Sequence, residues 1–269
     1  MANLSNPALD ALISSALTDK TLSYQELLTL LQTAALQGLS QLEWLDLQTV
    51  YNDWQSLFGM DANRDYLKAI YYNVVFGNPA NQTWWGSGVP EPLGDLQVGS
   101  SEQQMRRLID KWFLGLDLPL TTSSEQGQNN KSTVIDYQTA AGDLFVDGVS
   151  EEDIVQGQAL TCYLLSALGS IAKTHSAFIT NNFIDNDNGT YGVRLFVQGR
   201  PLYTTVNLSL PVQKNGKLLY ASDDEKRTLD GELWISLLEK AYAQFNAQVD
   251  TREFSGQEVG LMQLHDAID

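Results

Sequence analysis

The chain has 269 residues, 43% of them hydrophobic, and 33 Asp and Glu against 16 Lys and Arg give it a formal charge of −17. That length and apolar content fill one large domain or two ordinary ones. The charge opposes binding to the phosphates of nucleic acid or to anionic membranes and makes cations the favoured small partners. A single cysteine, Cys162, and two histidines, His175 and His265, exclude a disulfide framework and a cysteine- or histidine-rich metal site. No run of eighteen apolar residues and no signal peptide is present, which predicts a soluble protein without a membrane span, cytoplasmic or exported without an N-terminal signal.

The first part of the chain reads as helical. Ser23 with Glu26 and Ser40 with Glu43 have capping-box form, and Leu27, Leu28, Leu31 and then Leu42 and Leu45 recur at helical spacing. A third helix is predicted over Asp65 to Phe76, with Tyr66, Ile70, Tyr71 and Val74 facing a small bundle core. Residues 77–99 are dense in Gly, Pro and Asn and read as loop with at most a short strand. There Trp84 and Trp85 either stack on a ligand or anchor an irregular segment to a core. Another amphipathic helix follows from Ser101 to Phe113, with Ser101 and Gln104 as its capping pair.

The polar run TTSSEQGQNNKST, residues 121–133, lacks large apolar side chains and reads as a linker. It divides a helical extension, residues 1–120, from a second domain, residues 134–269. In that domain Tyr191 to Val197 and Leu202 to Val212 are strand-like around a predicted turn at Gly199-Arg200-Pro201. The run DNDNGTY, residues 185–191, places Gly189 where a calcium-binding EF-hand loop needs a ligand, so a hairpin turn is the better reading. A final helix is predicted from Gly231 to Phe245, with Leu233, Leu237, Ala241 and Phe245 in one stripe and Trp234 and Leu238 beside it. The expected fold class is α+β: a helical N-terminal domain, then a lobe with a central helix, a small antiparallel sheet and a C-terminal helix.

Cys162 stands just ahead of an apolar helical pattern beginning near Tyr163. A thiol at a helix N-terminus meets unpaired N–H groups that favour its thiolate, yet free cysteines are also common as inert core fillers. Gln156, six residues earlier and followed by Gly157, can turn its amide back towards the sulfur and, with the Cys162 N–H, bind a developing oxyanion.

The run DIVQGQALTCYLLSALGSIA resembles the segment around the catalytic cysteine of calpains, calcium-dependent cysteine endopeptidases with a papain-like core. GELWISLLEKAYAQFN, residues 231–246, resembles that family's tryptophan-containing LLEKAYAK helix, and the strand Val206 to Pro211 ends in Leu-Pro as the family's does. The resemblance covers about residues 140 to 269. It implies Cys162 as nucleophile, Gln156 in the oxyanion hole, and a protein or peptide substrate. It also implies a Ca²⁺ ion held by the carbonyls of Val146 and Gly148 and the carboxylates of Asp153 and Glu232. Oxygen ligands of this kind suit a hard cation, although the two acids also read as solvated surface groups.

A cysteine protease needs a histidine base beside the sulfur. His175, thirteen residues along the same helix, would be about 20 Å away, and His265 comes too early for the family's histidine. The resemblance therefore implies a histidine and an asparagine in a companion C-terminal fragment or domain. Residues 1–120 would then act as propeptide of a zymogen, inhibitor or targeting module. The competing reading is an inactive pseudoprotease that binds or regulates. Leu160-Thr161 and Tyr163 stand where calpains usually have Gly-Asp and Trp. These departures leave Cys162 and Gln156 in place, which favours the incomplete enzyme.

Overall fold

A computed structural model of the protein describes residues 4–19, 22–59, 63–86, 90–118, 122–124, 132–134, 136–157, 161–197 and 199–245. It divides into two compact units, one of Met1–Trp84 with Glu91–Leu116 and the other of Trp85–Pro90 with Asp117–Asp269. The fold class is α+β, with eight α-helices and small antiparallel sheets among the described residues.

The first unit is built on well-capped helices. Helix α1 (Pro7–Ala16) starts with Asn6, whose side chain accepts from the Ala8 and Leu9 N–H groups, followed by Pro7 in the first turn, where a missing N–H costs nothing. Both anticipated capping boxes form: Ser23 with Glu26 opens α2 (Tyr24–Ala35), and Ser40 with Glu43 opens α3 (Gln41–Asn52). A short α4 (Trp54–Phe58) leads to α5 (Arg64–Val75), on which Tyr66, Ile70, Tyr71 and Val74 are all buried as their spacing predicts. Strands β1 (Thr83–Trp84) and β2 (Glu91–Pro92) pair before α6 (Glu102–Trp112), whose N-cap Ser101 accepts from the Gln104 N–H. Trp84 is buried, as an anchoring residue should be, while Trp85 is half-buried.

Helix α3 corrects one expectation. Leu42 and Leu45 are exposed, and the helix turns Leu47 and Val50 inward instead. Its orientation is set by Asp46, which is buried and accepts the Ser5 and Asn6 N–H groups, each at 2.7 Å. A buried carboxylate must be hydrogen-bonded, so pairing Asp46 with these N–H groups fixes which side of α3 faces in.

In the second unit β3 (Thr122–Ser124) pairs antiparallel with β4 (Ser132–Val134). All of these strand residues but Val134 fall within the stretch read as a linker, residues 121–133, of which 121 and 125–131 lie outside the described residues. Strand β5 (Asp136–Thr139) pairs with β9 (Ser209–Val212), and β6 (Phe183–Asp185), β7 (Thr190–Val197) and β8 (Arg200–Asn207) form a three-stranded antiparallel sheet. The polar run 185–191 is the β6–β7 turn, with Asp187 and Gly189 in left-handed conformations. Arg200 and Pro201 belong to β8 and not to the turn: Val197 pairs with Arg200, leaving only residues 198 and 199 between the strands.

Helix α7 (Cys162–Thr180) and helix α8 (Trp234–Phe245) complete the unit. Helix α8 begins three residues later than expected from Gly231. Its Trp234, Leu237, Leu238 and Ala241 join Leu165 and Leu168 of α7 and Val193 and Val206 of the sheet in one core. Beneath α8, the fully buried Lys240 donates to Asn207 O at 2.9 Å, Asn207 Oδ1 at 2.7 Å and Ser209 O at 2.6 Å. Burial pushes its ammonium down to about 7, while three acceptors match the three protons of the charged form.

Candidate active site

Cys162 is the first residue of α7 and is exposed to solvent. The N-cap residue, Thr161, makes no capping hydrogen bond, although threonine commonly caps. Its hydroxyl is instead donated to Oε1 of Glu239 on α8. The first turn of α7 therefore keeps N–H groups without a cap from Thr161, at the helix end that attracts negative charge.

Gln156 is placed by a second segment. Val155 forms an isolated antiparallel bridge with Ser222, its N–H donating to Ser222 O at 2.8 Å and its carbonyl accepting from the Ser222 N–H at 3.0 Å. Gln156 follows directly and is exposed. Gly157 comes next, and a Cβ there would lie 2.2 Å from Leu219 O and 2.4 Å from Tyr220 O, so only glycine lets the chain pass this close. Residues 158–160, between Gly157 and the cap of α7, lie outside the described residues.

Both segments are tied to α8. Glu239 is buried; besides the Thr161 hydroxyl it accepts the Ala221 N–H on Oε2 at 2.7 Å, and burial raises its carboxyl above the ordinary value. One turn earlier, the Ser236 hydroxyl donates to the Ala221 carbonyl. Next to the cysteine, the ring of Tyr163 meets Tyr242 of α8 edge-on, with the two hydroxyls 3.3 Å apart. Burial, then the hydrogen bond with Tyr242, pushes the Tyr163 phenol up. A Tyr at 163, where calpains usually have Trp, thus makes a polar contact across to α8.

A second cluster gathers three of the four residues implied as metal ligands. The Val146 N–H donates to Glu232 Oε1 at 2.8 Å, and Asp153 Oδ2 accepts from the Ser150 N–H at 2.7 Å and the Trp234 indole N–H at 3.3 Å. Gly148 lies two residues beyond Val146, where Asp147 and Gly148 take consecutive positive φ angles of 51° and 106° and the chain curls sharply. Glu232 is only 6% exposed, and its carboxyl is pushed up to about 7, first by burial and then by the negative charges of Asp153, Asp147 and Asp223. Sequence reasoning missed Asp147, which stands between Val146 and Gly148, and Asp223, nine residues before Glu232. Asp223 also accepts the Glu232 N–H at 2.8 Å. Among the described residues no three His, Cys, Asp or Glu side chains form a metal cage by themselves, so a cation here would depend on backbone carbonyls as well.

His175 lies within α7, exposed, at a break where its φ and ψ of −147° and 52° leave the helical range. Thirteen residues of helix, about 20 Å, separate it from Cys162. His265 lies outside the described residues.

The family model described as calpain family cysteine protease matches residues 125–264. The chain is 33% identical over 113 residues to the calpain-type cysteine protease DEK1 of Zea mays, covering 41% of this chain and 5% of that protein. It is 31% identical over 111 residues to calpain-A of Drosophila melanogaster, covering 39% of this chain and 13% of the relative. Against the human calpain-2 catalytic subunit it is 30% identical over 106 residues, covering 38% of this chain and 14% of the relative. The matched segment thus spans a small fraction of each of these larger proteins.

Proposed function

The chain belongs to the calpain family of cysteine proteases, and from that premise we propose that it carries the nucleophile-bearing half of a calcium-dependent cysteine endopeptidase. The observation that carries this reading is the placement of Cys162: exposed, on the first residue of a 19-residue helix whose N-cap side chain is drawn away. Its sulfur attacks the peptide carbonyl, and the Cys162 N–H and the Gln156 amide hold the developing oxyanion, an electrostatic contribution that in acyl-transfer enzymes is worth about 3 kcal/mol per donor. A histidine supplied by a companion domain or fragment, oriented there by an asparagine, takes the thiol proton and returns it to the leaving amine. Water then hydrolyses the acyl-enzyme. His175, a helix length from Cys162, does not serve this role. Residues 1–120 act in this reading as a propeptide, inhibitor or targeting domain.

Calcium fits the corner of Val146, Gly148, Asp153 and Glu232. Glu232 is held there as a buried acid among other carboxylates, an arrangement that favours either a proton or a cation. Bound Ca²⁺ would supply positive charge that lets these groups ionise together and orders the loop from Val146 onward. Trp234, at the start of α8, donates to Asp153, so this loop is coupled to the helix that also holds Thr161.

The test is alkylation of Cys162 by iodoacetamide at mildly acidic pH, paired with peptidase assays of the complete protein and its Cys162→Ala variant. Rapid alkylation, and loss of proteolysis in a variant that keeps its circular dichroism and melting temperature, support the reading. Unchanged proteolysis in Cys162→Ala removes Cys162 from the chemistry. A wild-type chain that binds partners but never cleaves them favours the pseudoprotease alternative.

A further inference from the structure

Two exposed residues with complementary roles, Cys162 and Gln156, lie on separate segments, and the described structure connects each segment to the same helix. On one side, Thr161 immediately precedes Cys162 and donates its hydroxyl to Glu239 Oε1. On the other, Ala221 donates its N–H to Glu239 Oε2 at 2.7 Å and its carbonyl accepts from Ser236. Ser222, the next residue, makes the two-bond bridge to Val155, and Gln156 follows Val155. Thr161, Ala221, Ser222, Ser236 and Glu239 are all buried, so these bonds are shielded from competition with water.

We propose that Glu239 is a positioning residue that sets the relation of Cys162 to Gln156, by holding the segment before the cysteine on one carboxylate oxygen and the segment paired with Val155 on the other. The proposal rests on the roles assigned to Cys162 and Gln156 above. A carboxylate suits this task because its two oxygens accept separately, in a fixed geometry, from donors on different segments. A neutral amide in its place offers one acceptor and turns an N–H group towards one of the two donors. The same bond explains why Thr161 leaves α7 uncapped: its one hydroxyl proton goes to Glu239, and its oxygen is held away from the first-turn N–H groups that would otherwise bind it. Rotation of Thr161 into a capping position would cover the Tyr163 and Leu164 N–H groups, which favour a thiolate at Cys162.

The experiment uses the full chain with Thr161→Val, Thr161→Ser and Glu239→Gln, followed by amide hydrogen exchange and by the rate of Cys162 alkylation with iodoacetamide under folded conditions. Thr161→Val removes a hydroxyl from the cysteine segment only. If Glu239 links the two segments, exchange at the distant Val155 and Ser222 amides rises about tenfold, the equivalent of one hydrogen bond to a charged group. Cys162 alkylation slows with it, Glu239→Gln produces both effects, and Thr161→Ser restores both. A purely structural role lowers the melting temperature of Thr161→Val but leaves the Val155 and Ser222 amides and the folded-state alkylation rate unchanged, and that result overturns the proposal. Wild-type Cys162 inert to iodoacetamide refutes the nucleophile reading instead, and the exchange data then decide on Glu239 separately.

Discussion

Gly157 allows the sharpest quantitative test of how the Gln156 segment is held. Replacing it with Ala adds a single methyl group whose carbon would meet Leu219 O at 2.2 Å and Tyr220 O at 2.4 Å, where ordinary contact begins near 3.4 Å. Both obstacles are backbone atoms, so relief requires a movement of about 1 Å between the two segments, an overpacking cost of roughly 1–3 kcal/mol. The same movement opens the Val155–Ser222 bridge, whose two bonds are 2.8 and 3.0 Å long, at about 1 kcal/mol each. The expected destabilisation is therefore about 3–5 kcal/mol. It should appear as a lower urea midpoint for the second unit and faster exchange of the Val155 and Ser222 amides. Gly169→Ala is the matched control: its Cβ would meet only Ile154 Cδ1, at 3.7 Å, inside α7. Alanine is favoured over glycine in a helix, so that variant should be stabilised by about 0.5–1 kcal/mol. Equal effects of the two substitutions, or a Gly157→Ala midpoint within error of wild type, would refute the close approach and with it this account of how Gln156 is placed.

Three other substitutions probe buried charge. Because the Glu232 carboxyl is raised to about 7 from an ordinary 4.5, the folded state holds its proton more tightly than the unfolded chain. Its contribution to stability is thus fully present below about pH 4.5 and lost as pH rises through about 7. In chelator, Glu232→Gln should flatten the fall in melting temperature over that window, and an unaltered profile would contradict the assignment. A cation must displace that proton, so Ca²⁺ should raise the wild-type melting temperature more at about pH 8 than at about pH 6; no calcium response at either pH counts against the metal reading. Lys240→Met strands the Asn207 and Ser209 acceptors and should cost about 2–4 kcal/mol in urea unfolding, with a loss below about 1 kcal/mol refuting a stabilising role for these buried bonds. Asp46→Ala leaves the Ser5 and Asn6 N–H groups unpaired; hydrogen exchange should show α1 opening first, and uniform destabilisation of the whole unit would argue otherwise.

Local signals carried much of the secondary structure. Capping pairs at Ser23, Ser40 and Ser101 and the stripe on α5 translate directly because a cap needs partners two or three residues away and a helix face repeats within the chain itself. The start of α1 at Asn6-Pro7 carries an equally local signal, an N-cap followed by proline. The inward face of α3 was not legible. Leu42 and Leu45 suggest one side, but the opposite choice depends on Asp46 meeting backbone from forty residues earlier. The β7–β8 turn was misplaced for a related reason: Pro201 reads as a breaker locally, yet it sits opposite Phe196 in the ladder.

At the site, the sequence by itself determined which groups are present and in what order: one thiol, one amide six residues before it, and acidic residues around Val146. Those are properties of residue type and order. What only the tertiary structure decided is how α8 organises them. Glu239 accepts from donors 78 and 18 residues away, Glu232 meets Val146 across 86 residues, and Trp234 reaches Asp153 across 81. Contacts over such separations depend on how strands and helices pack, because a buried carboxylate is stable only where folding brings donors to it, and a linear pattern records the acid without its partners.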